Sequence, residues 1–182
     1  MKLSVALNQS IIHKAQKEVE CVYTAADCLL GFLAIDERCH TKQAPDFWQH
    51  VHTALIGSFV INFCKLFGID CGDAYWKQVT IEQKEYRDRI YAATGFDYSG
   101  WMAYRKSMTE LRNKISVHLT PYQHIEKVPN FQPALIILQT THQWMREVWE
   151  SLDVPATGPL AEADYFDRVK QQTTAIIEHA EF

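Results

Sequence analysis

Glycine and proline are sparse in this 182-residue chain, at seven and six residues, and they stand singly. A phosphate-cradling loop needs clustered glycines, and none is present: there is no GxGxxG, no Walker-type loop and no GxSxG elbow. Paired cysteine spacing is missing too. Cys21, Cys28, Cys39, Cys64 and Cys71 are odd in number and contain no CxxC. Most sit in apolar runs, which reads as reduced core thiols of a cytosolic protein rather than a disulfide frame. No large charge excess of either sign exists: the formal charge is −4, so no global basic field is available to hold nucleic acid. Any RNA contact must come from a local patch and be salt-sensitive. No stretch at the N-terminus resembles a secretion signal. The longest apolar-rich run, residues 54–67, contains Ser58, Asn62 and Lys65 and is expected to be too short to span a bilayer. No strand-like alternation of useful length, internal repeat or low-complexity tract appears.

What the chain does have is helical periodicity. A hydrophobic content of 47% and a charged content of 22% suit one globular core. A first helix is predicted from about Asn8 to Arg38, with a seam at Ile12, Ala15, Val19, Val22, Ala26, Leu29 and Leu33, its second half more buried and Gly31 a possible bend. Pro45 and Asp46 open a second helix, the most hydrophobic and the expected centre, which Gly68 stops after Phe67. A third is predicted from Asp73, carrying Trp76, Val79, Tyr86, Ile90 and Ala93, with Gln83 interrupting its stripe and Thr94-Gly95 at its end. A fourth starts at the N-cap oxygens of Asp97 or Ser99 and packs through Trp101, Tyr104, Met108, Leu111, Ile115 and His118. A fifth follows Asn130, with Pro133 in its first turn and a stripe at Phe131, Leu135, Leu138, His142, Met145, Trp149 and Leu152. After the break at residues 155–159, a more polar last helix runs from about Leu160 to His179 and shows Phe166, Val169 and Ile176. The expected fold is an all-α bundle of five or six mainly antiparallel helices over residues 1–154, with residues 155–182 a peripheral helix of the same domain.

The chemistry-bearing stretch lies late in the fourth helix: Leu111-Arg112-Asn113-Lys114-Ile115-Ser116-Val117-His118-Leu119-Thr120-Pro121. Pro121 disfavours helical geometry at Thr120, which puts His118 in the last turn. At 100° per residue Arg112 and His118 are about 120° apart around the axis and about 9 Å apart along it. Both can face one groove where this helix meets another. A guanidinium matches two phosphate oxygens and stays charged; an imidazole titrates in the range useful for proton transfer, and helix-terminal carbonyls favour its charged form. Between Trp101 and His118 the chain carries Arg105, Lys106, Arg112 and Lys114 against Glu110 alone. Arg105, seven residues before Arg112, is expected on the same flank as a substrate contact, with Lys106 and Lys114. Trp101 and Tyr104 can in principle stack a base, but their seam positions favour core packing.

An arginine, a polar residue and a histidine after five intervening residues, ending a helix of a small all-helical protein, resemble the HEPN superfamily signature. The helix from Trp48 to Phe67, with Phe59-Val60-Ile61-Asn62 and Lys65-Leu66-Phe67-Gly68, is similar to helices of abortive-infection members of that group. The resemblance spans roughly residues 10–155. It implies a homodimer that brings two motif helices into one cleft, and metal-independent RNA cleavage by 2′-hydroxyl attack. It also implies a cytoplasmic toxin or antiphage role, with an antitoxin protein as a possible partner and no cofactor or membrane. On that reading Arg112 meets phosphate and transition-state charge, His118 moves the proton, and Asn113 orients the phosphate or the histidine tautomer.

Two alternatives stand beside it. A non-catalytic helical module would use the same motif for interaction or RNA binding. A metal-binding bundle would use Glu37-Arg38-Cys39-His40, but the di-iron pattern needs a second Glu-x-x-His, which the sequence lacks. His50 and His52 point about 200° apart on a helix and cannot chelate one ion. Nothing in the sequence places His13 and His142 together; His142, on an apolar stripe, reads as a hydrogen-bonded core residue, with a place in the cleft as the alternative if its helix packs beside the motif helix.

Overall fold

The computed structural model describes residues 9–39, 46–68, 75–78, 82–117, 125–151 and 155–180. These residues form an all-α bundle of six α-helices with no strand among them: α1 (Gln9–Cys39), α2 (Asp46–Phe67), α3 (Gln83–Thr94), α4 (Tyr98–Arg112), α5 (Gln132–Ser151) and α6 (Tyr165–His179). Short 3-10 turns occur at Trp76–Gln78 and Gly158–Ala161, and a π-helical turn, Asn113–Val117, follows α4.

Contacts give the helix directions. Gly31 approaches Leu55 and Asp36 bonds to His52, so residue numbers rise on α1 as they fall on α2. Phe67 meets Trp101, Phe63 meets Tyr104 and Gly57 faces Ile115, which makes α2 and α4 antiparallel as well. The pair α1 and α5 follows suit through Tyr23 with His142 and Phe32 with Phe131. The pair α3 and α5 departs from this pattern. Tyr86 bonds to Thr141 and Arg89 to Glu147, so these two helices run parallel.

The centre is aromatic. Phe131 takes the edges of Phe32 and Phe59 at centroid distances of 5.6 and 5.4 Å, and Phe59, Phe63 and Phe67 continue down α2 to Trp101. Offset and edge-on pairs of this kind add stability beyond the area they bury. The seam of α1 packs as its periodicity predicts, with Val22, Ala26 and Leu29 at zero exposure. Gly31 lies where α1 meets α2. A Cβ there would sit 3.3 Å from Leu55 Cδ1, so the glycine accommodates the close approach of α2. At Gly68 a Cβ would run into the Cys64 carbonyl, whose oxygen accepts the Gly68 N–H at 2.8 Å.

One boundary and two stripe positions differ from expectation. The third helix begins at Gln83 rather than Asp73, and Trp76 lies on a separate 3-10 turn. Gln83 therefore starts the helix instead of interrupting it; its amide donates back to the Lys77 carbonyl at 3.0 Å. Ala93, expected on the stripe, is exposed, leaving Tyr86 and Ile90 as the buried pair. In α6 the buried residue is Ile177, while Ile176 is 66% exposed. Tyr165 and Phe166 are buried there as well, and ideal helical spacing from them does not single out Ile177 over Ile176.

Helix α2 also extends the apolar run seen in the sequence. At 22 residues it is the one described helix long and apolar enough to cross a membrane. Its Ile56, Phe59, Val60, Phe63, Leu66 and Phe67 are nonetheless buried among the other helices, as in the central helix of a bundle.

Candidate functional site

Helix α4 carries the site, and its first residues explain its orientation. The Asp97 carboxylate accepts the Gly100 N–H at 2.6 Å and caps the N-terminus. Trp101, Tyr104, Met108 and Leu111 are buried against the core, and the Tyr104 hydroxyl donates to the Asn130 carbonyl at 3.0 Å. The two aromatic rings are thus core residues.

Arg105 corrects an expectation. It is 7% exposed, and its guanidinium donates to the carbonyls of Phe67 and Gly68 and, at 3.3 Å, to the Tyr75 hydroxyl. The rings of Trp101 and Tyr75 lie 5.8 and 6.0 Å from its central carbon. A helix leaves its last carbonyls without intrahelical partners, and a positive charge is favoured there. Arg105 occupies that position at the end of α2, so it clamps α4 to α2 and is not a substrate contact. Its place on the flank of the seam was legible; its inward reach was set by the bare C-terminus of the neighbouring helix.

Beyond Leu111 the helix widens. The π-helical turn Asn113–Val117 keeps Ile115 against the core, where its Cγ2 would lie 3.5 Å from a Cβ on Gly57. Turns of this type concentrate at functional sites. Arg112, at the junction, is half-buried, and its Nε and Nη2 donate to the Asn113 side-chain oxygen at 3.2 and 3.0 Å. The amide of Asn113 therefore holds the guanidinium. Lys114 is exposed. Lys106 is exposed as well and stands 3.9 Å from Glu110, a loose i,i+4 pair. His118 lies outside the described residues, as does the rest of residues 118–124.

The metal-binding alternative gains no support from the histidines that are described. His52 bonds to Asp36 at 2.8 Å and stacks on Phe32, and His50 bonds to the Asp46 carbonyl of its own helix at 2.6 Å. Among the described residues no three His, Cys, Asp or Glu side chains gather. The Glu37 and His13 side chains and all of His40 fall outside that set.

His142 is a satisfied core histidine, as its stripe position suggests. Its Nε2–H donates to the Glu162 carbonyl at 3.0 Å, so Nδ1 accepts from the Tyr23 hydroxyl at 2.8 Å. Burial lowers its pKa below the ordinary imidazole value, against a smaller opposing pull from the Glu162 carbonyl. It lines a groove of about 430 Å³ between α5 and α6, with Gln139, Gln143, Arg146 and Asp167. Next to it Tyr165 donates to Asp27, which ties α6 to α1.

Sequence reading did not single out Glu18. It is 6% exposed on α1, and desolvation raises its carboxyl to about 8. Its position one residue before Val19 of the seam was the available signal.

No protein-family model matches the chain, and no solved structure does. An uncharacterized protein of the fission yeast Schizosaccharomyces pombe is 26% identical over 143 residues, which is 78% of this chain and 26% of the yeast protein. The chain thus spans about a quarter of the length of that relative.

Proposed function

We propose that the chain is a cytoplasmic RNA-acting helical protein of HEPN type that cleaves RNA without a metal, in a toxin or antiphage role. The observation that carries this reading is the Arg112–Asn113 pair, held at a π-helical turn with Lys114 exposed beside it. A guanidinium held in a fixed orientation matches two phosphate oxygens in a planar, bidentate fork.

On this reading the substrate's own 2′-oxygen attacks the adjacent phosphorus, the bond to the 5′-oxygen breaks, and a cyclic phosphate remains. One imidazole accepts the 2′-hydroxyl proton and another, protonated, delivers a proton to the leaving oxygen. A two-fold dimer joining two motif turns supplies both from two copies of His118, with Arg112 beside the phosphorane. An antitoxin protein is the expected regulatory partner.

The half-buried setting of Arg112 and the withdrawal of Arg105 into the core favour a second reading, an RNA-binding or interaction module without turnover. Incubation with RNA in excess chelator separates them. The nuclease leaves cyclic phosphate ends, and His118→Ala abolishes them while the protein stays folded. Intact RNA with the purified wild-type dimer rejects the catalytic reading, and association that weakens with Arg112→Ala then identifies the binding module.

A further inference from the structure

Gly57 is buried in α2, and a Cβ built there would lie 3.5 Å from Ile115 Cγ2. A bare stretch of backbone thus forms the notch in which the Ile115 side chain settles. Ile115 is the middle residue of the π-helical turn Asn113–Val117, which opens on the amide that holds Arg112. Neighbouring residues on a regular α-helix diverge by 100° and do not face each other. The Arg112 guanidinium nonetheless meets the Asn113 side chain, at the junction where the α-helix gives way to the wider turn. We propose that Gly57 and Ile115 are positioning residues for Arg112: the notch on α2 fixes the rotation of the π-helical segment, which presents Asn113 to the guanidinium. The functional weight of this seat rests on the reading of Arg112 as the phosphate contact, while the seat itself belongs to the fold.

Packing on both sides makes the seat rigid. Leu111, one turn before Ile115, is 1% exposed, and Ile56, Phe59 and Val60 around Gly57 are at zero exposure. Close-packed interiors transmit strain instead of absorbing it. A displacement of Ile115 therefore passes along the backbone to Asn113, two residues away. Room for one methyl exists at Gly57, since 3.5 Å is an ordinary contact. Valine carries two further methyls about 1.5 Å farther out. The notch has no space for them beside Ile115, so the segment is pushed off its seat.

The test follows the Arg112 Nε–H resonance in proton–nitrogen correlation spectra of the full-length protein, assigned with Arg112→Lys. Asn113→Ala gives its position once the amide is gone. Gly57→Val and Ile115→Ala each shift the resonance toward that position, Gly57→Ala leaves it near wild type, and Gly57→Val combined with Ile115→Ala restores it. Gly31→Ala is the control: it crowds Leu55 at 3.3 Å where α1 meets α2, away from the π-helical segment, and leaves the Arg112 resonance in place. An unmoved resonance in folded Ile115→Ala overturns the proposal, and so does an equal shift in Gly31→Ala. RNA cleavage falls roughly tenfold to a hundredfold in Gly57→Val and recovers in the double variant. A shifted resonance with undiminished cleavage overturns the positioning role. Wild-type protein that leaves RNA intact overturns the nuclease reading alone, because the resonance reports the seat without RNA.

Discussion

The Tyr23 hydroxyl meets His142 Nδ1 at 2.8 Å, joining α1 to α5 through residues 119 positions apart. The opposite ring nitrogen is spent on the Glu162 carbonyl, so the neutral imidazole has one donor and one acceptor, both used. Tyr23→Phe leaves the acceptor nitrogen buried without a partner and lowers stability by about 1–3 kcal/mol in urea unfolding. An unchanged midpoint would mean that the bond contributes nothing net.

The same histidine sets an acid-side response. Its folded pKa lies below its unfolded value, so its contribution is complete above the ordinary imidazole pKa and is lost as pH falls through the folded one. Urea midpoints should drop on acidification below about pH 6.5, and His142→Gln should flatten that part of the curve. Parallel curves for the two proteins would refute it.

Glu18 acts in the opposite direction. Its folded carboxyl is raised from 4.5 to about 8, so its protonated form is the one the core accepts. Stability is fullest below the unfolded value and declines as pH rises toward the folded one, by up to about 1.4 kcal/mol per pH unit. Glu18→Gln removes the charge, so its gain over wild type should be small near pH 4.5 and grow up to about pH 8. A gain that does not vary with pH would rule out buried ionisation as the cause.

Arg105 separates a structural cation from a substrate contact. Arg105→Leu leaves the Phe67 and Gly68 carbonyls unpaired and should cost about 2–4 kcal/mol, with Arg105→Lys rescuing little because an ammonium lacks the planar fork. Thermal melting reads this directly. A variant that melts like wild type yet binds RNA more weakly would restore Arg105 to the substrate face.

Asn113→Ala probes the guanidinium hold without touching the core. Stability should stay within about 0.5 kcal/mol. On the nuclease reading, RNA turnover should fall roughly tenfold or more as Arg112 loses the two bonds from Asn113. Full activity in this variant would show that the two bonds at 3.2 and 3.0 Å are incidental.

Helix α1 was legible because a 3.6-residue stripe from Ala15 to Leu33 can be buried only by a helix. The Asp97 cap was legible for a similarly local reason, since a short carboxylate reaches an N–H three residues on. Ile177 and Ile176 were harder to separate: a single residue's rotation depends on how Tyr165 and Phe166 seat on α1 and α5, which local spacing does not encode.

The residues alone determined the all-helical class and most helix ends, because periodicity, capping and turn chemistry act within a few positions of one another. Only the tertiary structure decided which cations remain outside. Arg105 and Lys106 are adjacent in sequence and identical in charge, yet one closes the end of α2 and the other faces solvent. The deciding partner, a pair of helix-terminal carbonyls 37 and 38 residues away, is brought there by packing.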